Sequence, residues 1–210
     1  MKPHWDADSP ELRRNLAEVL AVLRRQAAER VPPAAELARD WHRQTMDGLA
    51  VPDPGQVGVF RGEPGLVGED VGLYDRFGRL LASGTPAAEV AAELRAFEAR
   101  LAGVLAELDG AYPPGTRLGD DDIAAIVDVA AWAHAEWVRI HPFMNGNGRS
   151  ARLWANFVLL RYGLPPAIRL RPRPDGGYGL AAARAMEGDW EPTAAVFRRM
   201  LDDELREGTR

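Results

Sequence analysis

No cysteine occurs among the 210 residues, which excludes disulfides, thiolate zinc sites and cysteine nucleophiles together. Any catalysis must therefore use oxygen or nitrogen groups. No stretch approaches the roughly eighteen uninterrupted apolar residues of a membrane span, and the opening Met1–Asp6 lacks the apolar core of a secretory signal. No membrane partner and a cytoplasmic location are the expectations. Internal repeats are absent as well. A positive excess is also missing: the formal net charge is −5, so direct nucleic-acid binding is not expected, although a local basic patch can still hold a phosphate-bearing ligand. What is present is ordinary for a packed domain. Hydrophobic residues make up 46% and charged residues 27%, enough to enclose one sizeable core.

Hydrophobic periodicity predicts a mainly α protein. Leu12, Leu16, Val19, Leu20 and Leu23 recur at helical spacing between Pro10 and Arg30. Val31-Pro32-Pro33 stops this helix, and a second is expected from Pro33 to Leu49. From Val51 to Gly84 frequent glycine and short apolar runs suggest loops and a small β-hairpin. Thr85, as N-cap, and Pro86 are expected to open a helix running to about Leu108. Asp120-Asp121-Asp122 places negative charge at the start of the most apolar helix, which runs to Ile140. Further helices are expected over Arg149–Tyr162, Tyr178–Met186 and Asp189–Arg206, with Arg169–Pro174 as a solvated loop. Trp132, Trp137 and Trp154 fall on apolar helix faces and read as core. His4, His42 and His134 form no metal-ligand spacing, and His42 reads as a packed or surface histidine.

The segment His141-Pro142-Phe143-Met144-Asn145-Gly146-Asn147-Gly148-Arg149-Ser150-Ala151-Arg152 joins two of these helices. Gly146 and Gly148 can take positive φ and leave backbone amides uncovered, and the next helix, expected from Gly148, points its positive end at the same place. That is an anion cradle, with phosphate as its natural guest. Arg149 and Arg152 lie three residues apart, so both can reach one polyphosphate. His141 titrates near neutral pH and is the candidate general base. Phe143, a lone aromatic among small polar residues, is the expected inward anchor.

This segment resembles the Fic family signature, His-x-Phe-x-(Asp/Glu)-Gly-Asn-Gly-Arg-x-x-Arg. Seven fixed positions match, a coincidence on the order of once in ten million for a chain of this length at average residue usage. Weaker likeness extends over Trp41-His42-Arg43-Gln44, Gly55-Gln56 and Phe60-Arg61, over Ala133–Ile140, and over Tyr178–Asp189. The resemblance implies a Fic-like helical bundle with a small β-hairpin flap, divided into an N-terminal helical extension (1–32) and a Fic domain (33–210). It implies a protein adenylyltransferase that moves AMP from ATP to a Ser, Thr or Tyr hydroxyl of a target protein and releases pyrophosphate. His141 would be the base. Gly146, Asn147 and Gly148 would hold the phosphates, and Arg149 and Arg152 would meet the outer ones. The flap, between about Leu66 and Leu81, would position the target by strand addition.

One position departs from the signature. Asn145 stands where the family has an Asp or Glu that holds Mg2+, and a neutral amide oxygen lacks the charge attraction of a carboxylate. Mg2+, or Mn2+ in its place, would then be bound mainly through ATP. Two alternatives follow: a catalytically weakened module that binds nucleotide or a partner, and a relative that transfers another phosphate-containing group. The inhibitory Ser/Thr-x-x-x-Glu-Gly/Asn motif of many Fic proteins has no good copy here. Thr85–Glu89 has only its first part, so a separate antitoxin supplies the glutamate or this regulation is absent.

Overall fold

The computed structural model describes residues 2–68, 70–74, 77 and 80–207. Among them are seven α-helices: α1 (Pro10–Ala28), α2 (Ala35–Met46), α3 (Val90–Ala111), α4 (Asp120–Ile140), α5 (Asn147–Arg161), α6 (Tyr178–Met186) and α7 (Glu191–Glu207). Two short strands, β1 (Gly72–Tyr74) and β2 (Leu80–Ser83), pair antiparallel with Gly72 opposite Ser83 and an irregularity between Leu73 and Tyr74. This hairpin overlaps the segment expected to be the flap and runs on to Ser83; within that segment Glu69, Asp75, Arg76, Gly78 and Arg79 lie outside the described residues. No helix among the described residues is long and apolar enough to cross a membrane.

Helix boundaries follow capping, and several of them differ from the sequence reading. Ser9 caps α1 by accepting from the Leu12 amide at 3.1 Å, while the left-handed Arg30 (φ 51°) closes its far end. α2 begins two residues after Pro33 because its cap comes from elsewhere in the chain: the Glu98 carboxylate on α3 accepts from the Ala35 amide. Thr85 does not cap α3. Proline disfavours helical backbone in the residue before it, so the chain passes through Pro86 into a 3-10 turn, Ala87–Glu89, before α3 starts at Val90. The Thr85 hydroxyl is buried without a partner. Asp70 takes over the capping role and accepts from the Ala87 amide at 2.8 Å. α5 starts at Asn147, one residue before the expected Gly148, because Gly146 with φ 80° is its N-cap.

α5 is the central helix, buried from Asn147 to Leu159 on nearly every side. It packs on α4, α1 and α2, and α4 in turn packs on α3, α6 and α7. Trp41, Trp137 and Trp154 are fully buried, and Trp154 meets Trp41 edge-on with ring centroids 4.8 Å apart. Leu12, Leu16, Val19 and Leu23 of α1 belong to this same core. Asn15 ties α1 to the end of α2 by donating to the carbonyls of Thr45 (3.2 Å) and Asp47 (2.7 Å).

At the far end of α5 the buried guanidinium of Arg161 forms a bidentate pair with Asp109 of α3, at 3.0 and 2.6 Å. Tyr162 donates its hydroxyl proton to the same carboxylate at 3.0 Å, and Arg30 lies 3.3 Å from it. A buried cation left without its partner is costly. Asp109→Ala should therefore lower stability by about 3 kcal/mol, read as the shift in a urea or thermal unfolding midpoint. A change under about 0.5 kcal/mol, the size typical of an unimportant surface substitution, would contradict a structural role for this cluster.

Candidate functional site

α4 ends at Ile140 and is capped by His141, which adopts left-handed backbone angles (φ 54°, ψ 54°). A non-glycine residue in this region is held there by its surroundings. Arg61 does the holding: its side chain, 1% exposed, donates to the carbonyls of His141 (2.7 Å), Ile140 (3.0 Å) and Thr85 (2.6 Å), and its amide donates to Pro142 at 2.7 Å. A guanidinium at a helix C-terminus satisfies carbonyls that the helix leaves open and complements its dipole. Gly84 completes the fit, since a Cβ there would lie 2.8 Å from the His141 Cβ.

The following loop is closed by Asn147 through its side chain. Its Oδ1 accepts from the Phe143 amide at 2.9 Å and its Nδ2 donates to the Phe143 carbonyl at 2.7 Å. The side chain is thus spent inward, and only the backbone amide of Asn147 is left for a ligand. Phe143 is fully buried, as its character suggested, and stacks on His42 at 4.1 Å. His42 is the clamp that sequence reasoning missed. Its Nδ1 accepts from the Gly58 amide at 3.0 Å, so the proton resides on Nε2, which donates to the Asn145 carbonyl at 3.0 Å. Burial pushes His42 down to about 4, against the opposing effect of the Asn145 bond. Gly146 needs its freedom here: φ is 80°, and a Cβ would lie 2.8 Å from Met46 Cε and 3.1 Å from His42 Nε2. Gly148, expected to share the positive φ, lies in the first turn of α5 without it.

Among the described residues, the amides of Asn145, Gly146, Asn147 and Gly148 have no hydrogen-bond acceptor. They lie at the positive end of a 15-residue helix, where anions are favoured. Beside them lies a cavity of about 340 Å3 lined by His141, Gly146, Gly148, Arg149 and Arg152, together with Trp5, Asp6, Arg171, Arg173 and Tyr178. Four arginines and one carboxylate in a single cavity make it strongly positive, although the chain as a whole is acidic. Val138, Ala182, Ala183 and Met186 form its apolar wall.

Both signature arginines are buried, at 4% and 5% exposure. Arg149 donates to the Trp5 carbonyl (3.0 Å) and Asp6 Oδ1 (3.3 Å), and burial pushes it down to about 10 despite the Asp6 charge. Arg152 donates to the Tyr178 hydroxyl and the Leu170 carbonyl, each at 3.0 Å. Arg149 Nη1 and Arg152 Nε remain buried without any partner. Orphan charged donors beside a cavity mark an anion site, because leaving them unpaired costs free energy that a ligand recovers.

His141 also lines the cavity. Its Nδ1 lies 3.1 Å from the Val138 carbonyl. Since a carbonyl can only accept, Nδ1 carries the proton and Nε2 keeps its lone pair. Burial lowers the His141 pKa, an effect partly offset by the Val138 bond and reinforced by the Arg61 charge. The imidazole is a free base at neutral pH.

Asn147 turns its side chain inward, and Asn145 is the other sequence candidate that does not line the cavity. It lines an adjoining small recess with Trp5, His42, Met46 and Gln56, not the cavity that holds His141. Mg2+ prefers carboxylate oxygens. Among the described residues, the one carboxylate lining the cavity is Asp6, already engaged by two arginines. The lining of this cavity therefore offers no free carboxylate to Mg2+ among the described residues, and the carboxylate that shares the recess with Asn145 is Asp53.

The Fic/DOC family model matches residues 32–159, more than half of the sequence. The chain belongs to the Fic/DOC family. Among curated Fic proteins, it is 43% identical over 84 residues to Protein adenylyltransferase Fic of Nematostella vectensis, covering 40% of this chain and 19% of that protein. It is 44% identical over 77 residues to the protein of the same name from Drosophila persimilis, covering 37% and 14%. The matched region is thus less than a fifth of either relative's length. Its fold is that of solved Fic structures. A Fic domain containing signaling protein from Bacteroides thetaiotaomicron superposes with a TM-score of 0.60 at 22% identity, covering 91% of this chain and 69% of that one. The BepC protein of Bartonella tribocorum, solved with bound AMPPNP, superposes at 0.53 and 16% identity, covering 95% and 91%.

The Fic signature gave no hint of Trp5, Asp6, Arg171 or Tyr178. Arg169–Pro174 is a loop, as expected, but only partly solvated: Arg169, Pro172 and Arg173 are exposed, while Leu170 and Pro174 are buried and Arg171 and Arg173 line the cavity. The charge in this run was visible in the sequence, but its destination depended on a partner 165 residues away.

His42 gives a pH test. Folded, it stays neutral down to about 4; unfolded, it takes up a proton near 6.5. Between these values the unfolded chain binds more protons, so stability contributed by neutral His42 is full above pH 6.5 and is lost as the pH falls toward 4. His42→Gln, which can donate and accept without titrating, should remove on the order of 3 kcal/mol of this pH dependence. Unfolding midpoints of both proteins from pH 7 to pH 4 check it; parallel curves would contradict it.

Proposed function

We propose that this chain is a protein adenylyltransferase acting through the cavity at the start of α5. The observation that carries the reading is the free Nε2 of His141 at the edge of an arginine-lined cavity, held by the Nδ1–H bond to Val138. ATP is the nucleotide. Its β- and γ-phosphates meet the amides of Gly146, Asn147 and Gly148 and the guanidiniums of Arg149 and Arg152. The base packs on the apolar wall of Val138, Ala182 and Met186. Nε2 accepts the proton of a Ser, Thr or Tyr hydroxyl as that oxygen attacks the α-phosphorus, and the bond to the pyrophosphate oxygen breaks. The loop amides and arginines stabilise the charge that develops on the leaving pyrophosphate. The β1–β2 hairpin offers an edge to which an extended target segment adds. Mg2+ or Mn2+ would be held mainly by ATP and would offset the charge of its phosphates. Either a separate antitoxin protein supplies a glutamate opposing Arg152 or this regulation is absent, and the reaction belongs in the cytoplasm where ATP is abundant.

The place of Asn145 outside the cavity supports a second reading, a module that binds nucleotide without transferring it. One experiment separates the two. Purified chain, labelled ATP, Mg2+ or Mn2+ and a cell lysate should yield labelled proteins, and His141→Ala should lower the rate by roughly 10²- to 10⁴-fold, the usual worth of a general base. Wild type as silent as His141→Ala would remove the transferase reading. If labelling appears only in Asn145→Asp, the binding module is correct.

A further inference from the structure

The N-terminal segment carries an acidic side chain into the cavity, and no signature position accounts for it. Backbone bonds from Trp5 to the Ala50 carbonyl (3.1 Å) and from Ala50 to the Pro3 carbonyl (2.7 Å) tie the segment beside the loop that follows α2. This places the Trp5 ring 4.9 Å from the Arg149 guanidinium carbon. Asp6, next along the chain, points its carboxylate between two arginines. Oδ1 accepts from Arg149 Nη2 at 3.3 Å and from Arg171 Nη1 at 3.0 Å, and the Asp6 carbonyl accepts from Arg171 Nη2 at 2.5 Å.

Three features make this more than a structural ion pair. The Asp6 side chain is 50% exposed and that of Arg149 only 5%, and among the described residues Arg149 pairs with no other carboxylate, so the exposed partner is readily replaced. Arg149 Nη1 stays buried with no partner even with Asp6 in place, so a single carboxylate underfills the site. Arg171 stands on the chain segment between α5 and α6 and reaches the same oxygen as Arg149, which extends the anion site beyond the α4–α5 loop.

We propose that Asp6 is an internal stand-in for a phosphate group: Arg149 and Arg171 form one anion-binding pair, and an incoming polyphosphate displaces the Asp6 carboxylate from both. A phosphate group offers more charge and more acceptor oxygens than one carboxylate. Arg171 is thereby a third phosphate-binding arginine, and Asp6 sets how much phosphate is needed to fill the site. The proposal depends on the adenylyltransferase reading only for the identity of the ligand as ATP.

Calorimetric titration of inorganic tripolyphosphate and, separately, of ATP at fixed ionic strength tests it. Asp6→Asn keeps the shape and removes the competing charge, and should tighten both ligands about two- to fivefold, the worth of a partly exposed ion pair. Arg171→Gln should weaken both by a similar factor. Glu18→Gln changes the net charge equally from the outer face of α1, where Glu18 faces only Arg14, and should match wild type. Unchanged or weaker binding in Asp6→Asn, or unchanged binding in Arg171→Gln, would overturn the proposal. If tripolyphosphate follows this pattern while ATP does not bind, the proposal stands and the nucleotide reading falls. If ATP binds wild type and Asp6→Asn alike, the reading stands and the proposal falls. Failure of every protein to bind either ligand overturns both.

Discussion

The site depends on one reciprocal pair of hydrogen bonds, between the Asn147 side chain and the backbone of Phe143. A loop that exposes several amides to one point pays an entropic cost and leaves buried donors unsatisfied, so it needs a fixed frame. The amide group of Asn147 supplies it with one donor and one acceptor at the required spacing, which no other side chain of that length except aspartate approaches, and aspartate cannot donate when ionised. With Phe143 pinned, its ring fills the space against His42, and His42 holds the Asn145 carbonyl and the Gly58 amide from the other side. Gly146 then has room for its left-handed turn and α5 begins with its amides bare. Removing any one of these contacts loosens the others, because they share the same five residues.

Around this frame the protein accepts unfavourable features close to the cavity. His141 sits in left-handed backbone geometry, Arg149 is held below its usual pKa by burial, and buried guanidinium nitrogens lack partners. Stability comes from elsewhere: the tryptophan cluster against α5, and the Arg161–Asp109–Tyr162 cluster at its far end. Strain and unpaired charge concentrated at one end of a helix, with well-packed and well-paired groups at the other, is the division expected when a site is built for a ligand.

Much of this arrangement was legible from residue order. Period and capping residues marked the helices, because α4 and α5 are long and their apolar faces are nearly continuous. The signature segment identified His141, Gly146, Gly148, Arg149 and Arg152, and the structure brings all five to one cavity. What could not be read was whatever depended on distant partners. The start of α2 is fixed by Glu98 and that of the turn before α3 by Asp70, neither of them a local neighbour. Asn147 was expected to face phosphate and instead faces the loop, since a motif gives residue types and not the direction of a side chain. Asp6 and Arg171 stand 165 positions apart, and each alone looks like an ordinary surface charge.

The central claim is that this frame presents the α5 amides to a polyphosphate while leaving the imidazole free. A crystal structure of the chain with a non-hydrolysable ATP analogue tests it most directly. The account predicts phosphate oxygens on the amides of Gly146, Asn147 and Gly148, with Asn147 still bonded to Phe143 and His141 Nε2 facing the α-phosphate. A nucleotide bound outside the cavity, or a loop in which the Asn147 side chain has turned out to hold the phosphates itself, would contradict it.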